Sequence, residues 1–467
     1  MMPTMNPDPI LKGKTVFNLA DFGAAGDGIA DATPALRDAL EACHRDGNGV
    51  VVVPEGTFSI KPVYLKSRVH LHLLKGATLL GSGDPADYAD WESERIRLFY
   101  AAYNARALFF AVDEENITLS GEGTIDGHGR AFYDCPDPSA SWFPIRDIKT
   151  RPGRTFLFAL CRSVAIHTLT FRDSPAWTFW MFGCEAVRFQ GIAIRNNPKA
   201  LNTDGIDIDA CRNVVISHCD ITTGDDAIAL RNIWRVFHQE CPEPSRTGLG
   251  FGMRPCEQIT VENCSLRSRC NGILIGYLRD DVIRNIVIRN VSILDSYRGI
   301  ISLIPIARQT LNARTDGPAG DGPVIENIHV CNVTVEAAEP LWWFVSDEAT
   351  LRRIGNLTLE NVTLRGRSHS VIKGNQAVPV CGVLLRNVTF ERTAGEKVPP
   401  FHGQLLESAA HLHLSNVRGI SLQNVHFTGD NPACEADAPA IRLDRVNGLE
   451  LGHFTNATRF PLMSRPA

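Results

Sequence analysis

Apolar and polar residues alternate along this chain in short blocks that recur at a near-constant spacing. The clearest blocks read ENITLSGEGTID from Glu115, RSVAIHTLTFRDS from Arg162, EAVRFQGIAIRNN from Glu185 and RNVVISHCDITTG from Arg212. EQITVENCSLRSR from Glu257, RNIVIRNVSILDS from Arg284, ENIHVCNVTVEAA from Glu326 and GNLTLENVTLRGR from Gly355 continue the series. Weaker copies begin at Cys381, Arg418 and Asn447. Uninterrupted blocks start 23 to 29 residues apart, and gaps of 37 to 47 imply insertions. Each block alternates, crosses a short Asn- or Cys-containing corner, and alternates again. That is the period of a strand, whose successive side chains point to opposite faces. No block carries a helical stripe. A repeat of strands and corners alone predicts an all-β fold, a parallel β-helix whose coils rise by about 4.8 Å each. Inward residues of such a stack form one core, and insertions project from a face that usually carries function.

The N-terminal stretch breaks the pattern. FNLADFGAAGDGIADATPALRDALEAC reads as a strand, a Gly/Asp-rich turn and an amphipathic helix. Thr33 is the expected N-cap with Pro34 in the first turn, and Ala35, Leu36, Ala39 and Leu40 share one face. A helix there would cover the open end of the stack, which otherwise presents a pairing edge. The expected organisation is a single domain over 1–467. Its N-terminal cap and first strands span 15–60, its coils 61–455 and its tail 456–467.

Composition narrows the partners. The 467 residues are 44% hydrophobic and 21% charged, with a net charge of −5 and no basic block, so nucleic acid is not an expected partner. No apolar run approaches the roughly 18 residues of a membrane span. Thirteen cysteines are scattered, often inside the blocks (Cys161, Cys211, Cys219, Cys264), and read as reduced, buried thiols. No CxxC pair or zinc-type spacing appears, so neither a metal nor another cofactor is expected. The first residues, MMPTMNPDPILKGK, lack an apolar signal core, and the expected location is the cytoplasm.

Candidate chemistry concentrates in two acidic motifs one block apart, Asn202-Thr203-Asp204 and Gly224-Asp225-Asp226. The repeat places them on neighbouring rungs of one wall, so three carboxyls would form a compact patch, the raw material of glycoside hydrolysis. Crowded carboxylates cannot all ionise easily, which leaves a protonated acid beside ionised bases near neutral pH. Asn and Asp also form corners in such folds, bonding the backbone. Asp207 and Asp209, alternating with Ile, read as solvated or corner-forming.

The start of the chain, together with ITLSGEGTIDGHG, RDSPAWTFW, NTDGIDID and TGDDAIAL in that order, resembles glycoside hydrolase family 28, the polygalacturonases and related pectin-degrading enzymes. The resemblance spans roughly residues 15 to 300 and implies a right-handed parallel β-helix and an inverting glycosidase. It implies that Asp225 is the general acid, that Asp204 and Asp226 activate water, and that Asn202 lines the substrate site. Inversion calls for wide carboxyl spacing, whereas neighbouring rungs alone would allow the closer spacing of retaining enzymes.

Two departures from the family pattern bear on substrate. Asn271 stands where the family has His, and Ile301 and Leu303 stand where it has the Arg and Lys that hold a sugar carboxylate. Losing both cations points away from plain polygalacturonate, toward a rhamnogalacturonan-type or neutral linkage, unless Arg231, Arg269 or Arg298 substitutes. The segment after GDD carries Trp234, Phe237 and His238, which would close one end of a cleft and favour exo action on an oligosaccharide or polysaccharide. Tyr277 and His128 are further sugar-contact candidates, with Tyr133 beside His128. Trp177 and Trp180, three apart on a strand, are expected on opposite faces. Two rival classes keep the same fold. A β-helix lyase would use Asp225 and Asp226 to bind calcium, and a binding solenoid would have no turnover.

Overall fold

The computed structural model describes residues 11–88, 106–134, 139–233, 254–277, 280–304, 323–347, 351–394, 410–429, 439–457 and 462–464. Trp234, Phe237 and His238 lie outside these. The chain winds into a right-handed parallel β-helix. Each coil in the first half contributes three short strands. One wall, called here the site wall, stacks Ala107–Val112, Arg154–Ala159, Trp177–Phe182, Ile206–Asp209, Ile228–Arg231 and Asn271–Ile275 in parallel. A second wall stacks Glu115–Gly121, Arg162–His167, Glu185–Gln190, Arg212–Ser217 and Cys256–Glu262. The third is narrower, with Thr124–Asp126, Thr170–Arg172, Ala193–Arg195, Asp220–Thr223 and Ser265–Ser268. From Val282 onward longer strands run through the corners, as in Val282–Ile304 and Val324–Val345.

The inward positions explain why this sequence stacks in this register. Phe109, Phe156 and Phe179 occupy matching positions on successive rungs of the site wall, with ring centroids 4.7 and 4.8 Å apart. Ile206, Ile228, Ile273 and Ile300 continue the same buried column. A one-residue slip would turn every one of these side chains outward, so the register is strongly specified. The Asn corners form a second device. Asn263, Asn290, Asn332, Asn361, Asn387 and Asn424 all take left-handed φ between 53° and 55°. Their side-chain amides donate rung to rung at 2.8–3.2 Å. Asn tolerates this conformation better than most residues, and the ladder satisfies its amide.

A 14-residue helix, Thr33–Asp46, covers the N-terminal end with Ala35, Leu36, Ala39, Leu40 and Cys43 buried. The expected cap lies one residue late. Ala32 is the N-cap and makes no side-chain cap bond, while Asp31 Oδ1 accepts from the Thr33 amide at 2.9 Å. Thr33 instead lends its hydroxyl to the Lys61 amide, tying the helix to the next coil. The cysteines of the described residues are free. Cys161, Cys184, Cys211 and Cys256 are all buried, as expected for corner thiols. No helix of the described residues is long and apolar enough to cross a membrane.

Candidate active site

The two acidic motifs meet because the coil between them is tight. The Gly205 amide donates to the Asp226 carbonyl at 2.8 Å, locking the rungs together just after Asp204. Glycine is required at both motifs. A Cβ at Gly205 would sit 2.4 Å from the Ala227 carbonyl oxygen, and one at Gly224 would sit 2.2 Å from that of Ala200. Thr203 ties the motifs through its hydroxyl, which donates to the Ala200 carbonyl at 2.9 Å and accepts from the Gly224 amide at 3.1 Å. Asp204 and Asp226 are nearly buried, at 6% and 7% exposure, while Asp225 is half-buried. Asp225 is therefore the most exposed of the three carboxyls.

Each acid has identifiable partners. Asn202, held at a left-handed φ of 58°, donates from Nδ2 to Asp225 Oδ2 at 3.4 Å. Arg151 supports it from behind. That guanidinium is buried and donates to Asn202 Oδ1 at 3.2 Å, to the Leu201 carbonyl at 3.0 Å and to the Tyr133 hydroxyl at 2.7 Å. The single Tyr133 hydroxyl proton is shared between the Pro175 and Leu201 carbonyls, 2.8 and 2.7 Å away, so this hydroxyl serves the framework. Asn271 donates from Nδ2 to Asp226 Oδ1 at 2.6 Å. Ser268 and Thr223 hold the Asp225 carbonyl from the far side.

Burial, reinforced by neighbouring carboxylates, raises the acids above the usual carboxylate range. Asp226 is pushed up to about 7, first by burial and then by Asp225. Asp225 is raised by burial, against the hydrogen bonds it accepts. Asp204 rises well above its ordinary value through burial and the fields of Asp225 and Asp207. The protons belong to the cluster as a whole, so the set holds both protonated and ionised carboxyls near neutral pH.

Asp207 and Asp209 depart from the sequence expectation. Both are buried on the outward side of the site wall, not solvated. Asp207 is raised well above its ordinary value by burial and by Asp226, which makes it a fourth carboxyl of the patch. Asp209 accepts from the Ile233 amide at 2.9 Å and the Trp180 indole at 3.3 Å, and burial pushes it to about 7. Strict Asp-Ile alternation beside NTD was the available signal, because one face of such a strand must point into the core and the other must share the patch.

The remaining candidates spread along the wall. Arg231 donates to both oxygens of buried Asp280, at 2.9 and 3.2 Å, and lies over the Tyr277 ring at 5.2 Å. Its field lowers the raised acids Asp207, Asp209 and Asp226. Arg269 is exposed and lies over Trp142 at 5.6 Å. Arg298 is buried and donates to Glu339 at 2.6 Å. Ile301, also buried, packs with Ala229, Leu274, Trp342 and Val371. Leu303 pairs with Phe344 on the next rung. Trp177 and Trp180 share a face, contrary to expectation. Their rings are 5.9 Å apart and both cover Arg154, because Trp177 sits at the strand's first residue, where alternation has not begun. His128 does not join the carboxyls and lines a separate cavity.

Asp225, Asp226 and Cys270 bring ligand atoms within 4.8 Å of one another. Calcium takes six to eight hard oxygen ligands, and a thiol with two raised carboxyls suits it poorly.

The family described as Glycosyl hydrolases family 28 matches residues 43–382. The chain belongs to that family. It is a glycoside hydrolase. A probable polygalacturonase of Vitis vinifera is 24% identical over 412 residues, covering 82% of this chain and 76% of that protein. An exo-poly-alpha-D-galacturonosidase of Dickeya chrysanthemi is 24% identical over 338 residues, covering 59% of this chain and 56% of that one. The family 28 exopolygalacturonase of Yersinia enterocolitica superposes with a TM-score of 0.69 at 18% identity, covering 93% of this chain and 78% of that one. The fold is thus shared with a family 28 enzyme across nearly the whole chain.

Proposed function

We propose that this family 28 hydrolase cleaves a pectic or related plant-type glycosidic bond with inversion, from a chain end or on oligosaccharides, and that plain polygalacturonate is not its preferred substrate. Asp225 gives its proton to the leaving oxygen, and Asp204 and Asp226 activate the water. Asn202 and Asn271 hold the acids and meet the sugar. Arg231 with Tyr277 stands at one end of the wall, and Arg269 with Trp142 borders the carboxyls. Trp234 belongs to the same proposal as a cleft-closing residue. Arg298 is committed to Glu339, and we give it a structural role.

The observation that carries the substrate reading is the burial of Ile301 in an apolar cluster. A uronate carboxylate placed against it would lose water without gaining a counter-charge, at a cost of about 1–3 kcal/mol. Exo action is supported by the names of the Dickeya and Yersinia proteins. The test is proton NMR of freshly released sugar from a rhamnogalacturonan oligosaccharide. Inverted anomers of a single small product support the reading. Retained anomers, or a ladder of intermediate lengths, refute its mechanism or its exo character.

A further inference from the structure

We propose that a second carbohydrate-binding site, selective for acidic sugars, lies on the third wall, one corner away from the catalytic carboxyls. A cavity of about 600 Å³ opens there, lined by residues that include Asp126, His128, Arg130, Arg172, Arg195 and Asn196, and by none of the three catalytic acids. That volume lies within the 300–1,000 Å³ range of small-molecule sites.

The fold builds this cavity from two parts. Its floor is one register column, Leu80, Asp126, Arg172 and Arg195, on four successive rungs. At about 4.8 Å per rung the column runs roughly 14 Å, enough for a short oligosaccharide. Its rim is the corner after the Asp126 strand, where His128 takes a left-handed φ of 55° and its Nδ1 lies 3.0 Å from the Gly81 carbonyl oxygen. The corner is pressed onto the next coil, since a Cβ at Gly129 would sit 2.4 Å from the Ser174 carbonyl oxygen. The rim is therefore preformed.

The lining names the ligand class. Three guanidiniums line the cavity, each with one carboxylate partner, Arg172 with Asp126, Arg130 with Asp173 and Arg195 with Asp220, so selectivity rests on the edge that Arg172 leaves for a ligand. Arg172 donates to Asp126 through Nε at 2.7 Å, and its two terminal nitrogens make no hydrogen bond to any described residue. A guanidinium edge of that kind matches a carboxylate in two parallel bonds. Asp and Asn beside it suit the hydroxyls of the same ring. A uronic acid unit carries both groups. The rim also reaches the catalytic motif, because Asn196 donates to the Thr203 carbonyl at 3.1 Å and to the Thr178 hydroxyl at 2.8 Å. Resting on the pectic reading above, this site would hold acidic units of a chain whose other units meet the apolar catalytic wall.

Calorimetric titration of full-length Asp225→Asn protein with trigalacturonate and with its methyl-esterified form tests the proposal. Arg172→Gln with Arg130→Gln is expected to weaken the acidic ligand at one site at least tenfold, leave the esterified one within twofold, and flatten the salt dependence. Hydrolysis by the same arginine variant on the wild-type background should stay within twofold. Equal trigalacturonate affinity with and without the arginines would overturn the site, provided the melting temperatures match. An arginine-dependent site in a protein with no hydrolytic activity would keep the cavity and sink the hydrolase reading. Hydrolysis with arginine-independent binding would do the reverse.

Discussion

One register column on the outward face of the site wall changes chemistry within a single rung. Asp207 stands in it after Phe110, Leu157 and Trp180 on the preceding rungs and before Ala229, Leu274, Ile301, Trp342 and Val371 on the following ones. Asp207 belongs to a crowded acid patch, and the five positions that follow it are apolar and buried. The inward column beside it is apolar throughout, from Phe179 to Leu341. The core fixes the coil from within, so the outward positions are free to hold carboxyls on one rung and exclude charge on the next. On the proposed function, hydrolysis and substrate choice belong to separable regions of one wall, and each can be broken without the other.

The largest effect is expected from Asp225→Asn. Removing the half-buried acid should lower kcat by roughly 10²–10⁴-fold, with the melting temperature unchanged or raised because a like charge has gone. Steady-state rates and a thermal melt check both arms, and an active Asp225→Asn protein would empty the acid patch of its assigned role. Next in size is Arg151→Met, which removes the support behind Asn202. A kcat loss of about 10–100-fold is expected, with KM nearly constant and partial recovery in Arg151→Lys. Equal losses in KM and stability would instead make Arg151 a packing residue.

On the apolar side, Ile301→Arg places an uncompensated charge in a buried cluster. It should cost about 2–4 kcal/mol in a denaturant melt, with part of that regained in saturating galacturonate oligosaccharide. No rescue by the acidic sugar would separate Ile301 from the substrate path. The smallest effect is electrostatic. Asp226 and Asp209 are raised to about 7 by burial, so between the unfolded carboxyl value and 7 the native state binds more protons than the unfolded chain. Stability must then fall as pH rises through that window, on the order of 1 kcal/mol per pH unit for each group. Melting temperatures at pH 5 and pH 8 check the sign, and Asp209→Asn should shrink the difference.

Much of this was visible in the sequence because period-two alternation reports directly on a wall with one face in the core. The coils, the N-terminal helix and the meeting of Asn202-Thr203-Asp204 with Gly224-Asp225-Asp226 all followed from spacing. What spacing could not give was which outward positions are covered. Asp209 is buried because Trp180 and the Ile233 amide close over it, contacts that come from other coils. Arg151 was passed over because it lies in an insertion with no alternation, and only the fold brings it to Asn202. Trp177 misled because alternation was assumed to start one residue too early. The third-wall arginines sit at ordinary strand ends, and only stacking collects them around a cavity.

The most direct test is the ratio of kcat/KM on a rhamnogalacturonan oligosaccharide to that on polygalacturonate, measured beside Asp225→Asn. A ratio well above one, with both activities lost in the mutant, is the predicted result. A preference for polygalacturonate would contradict it, showing that the apolar column does not set substrate choice.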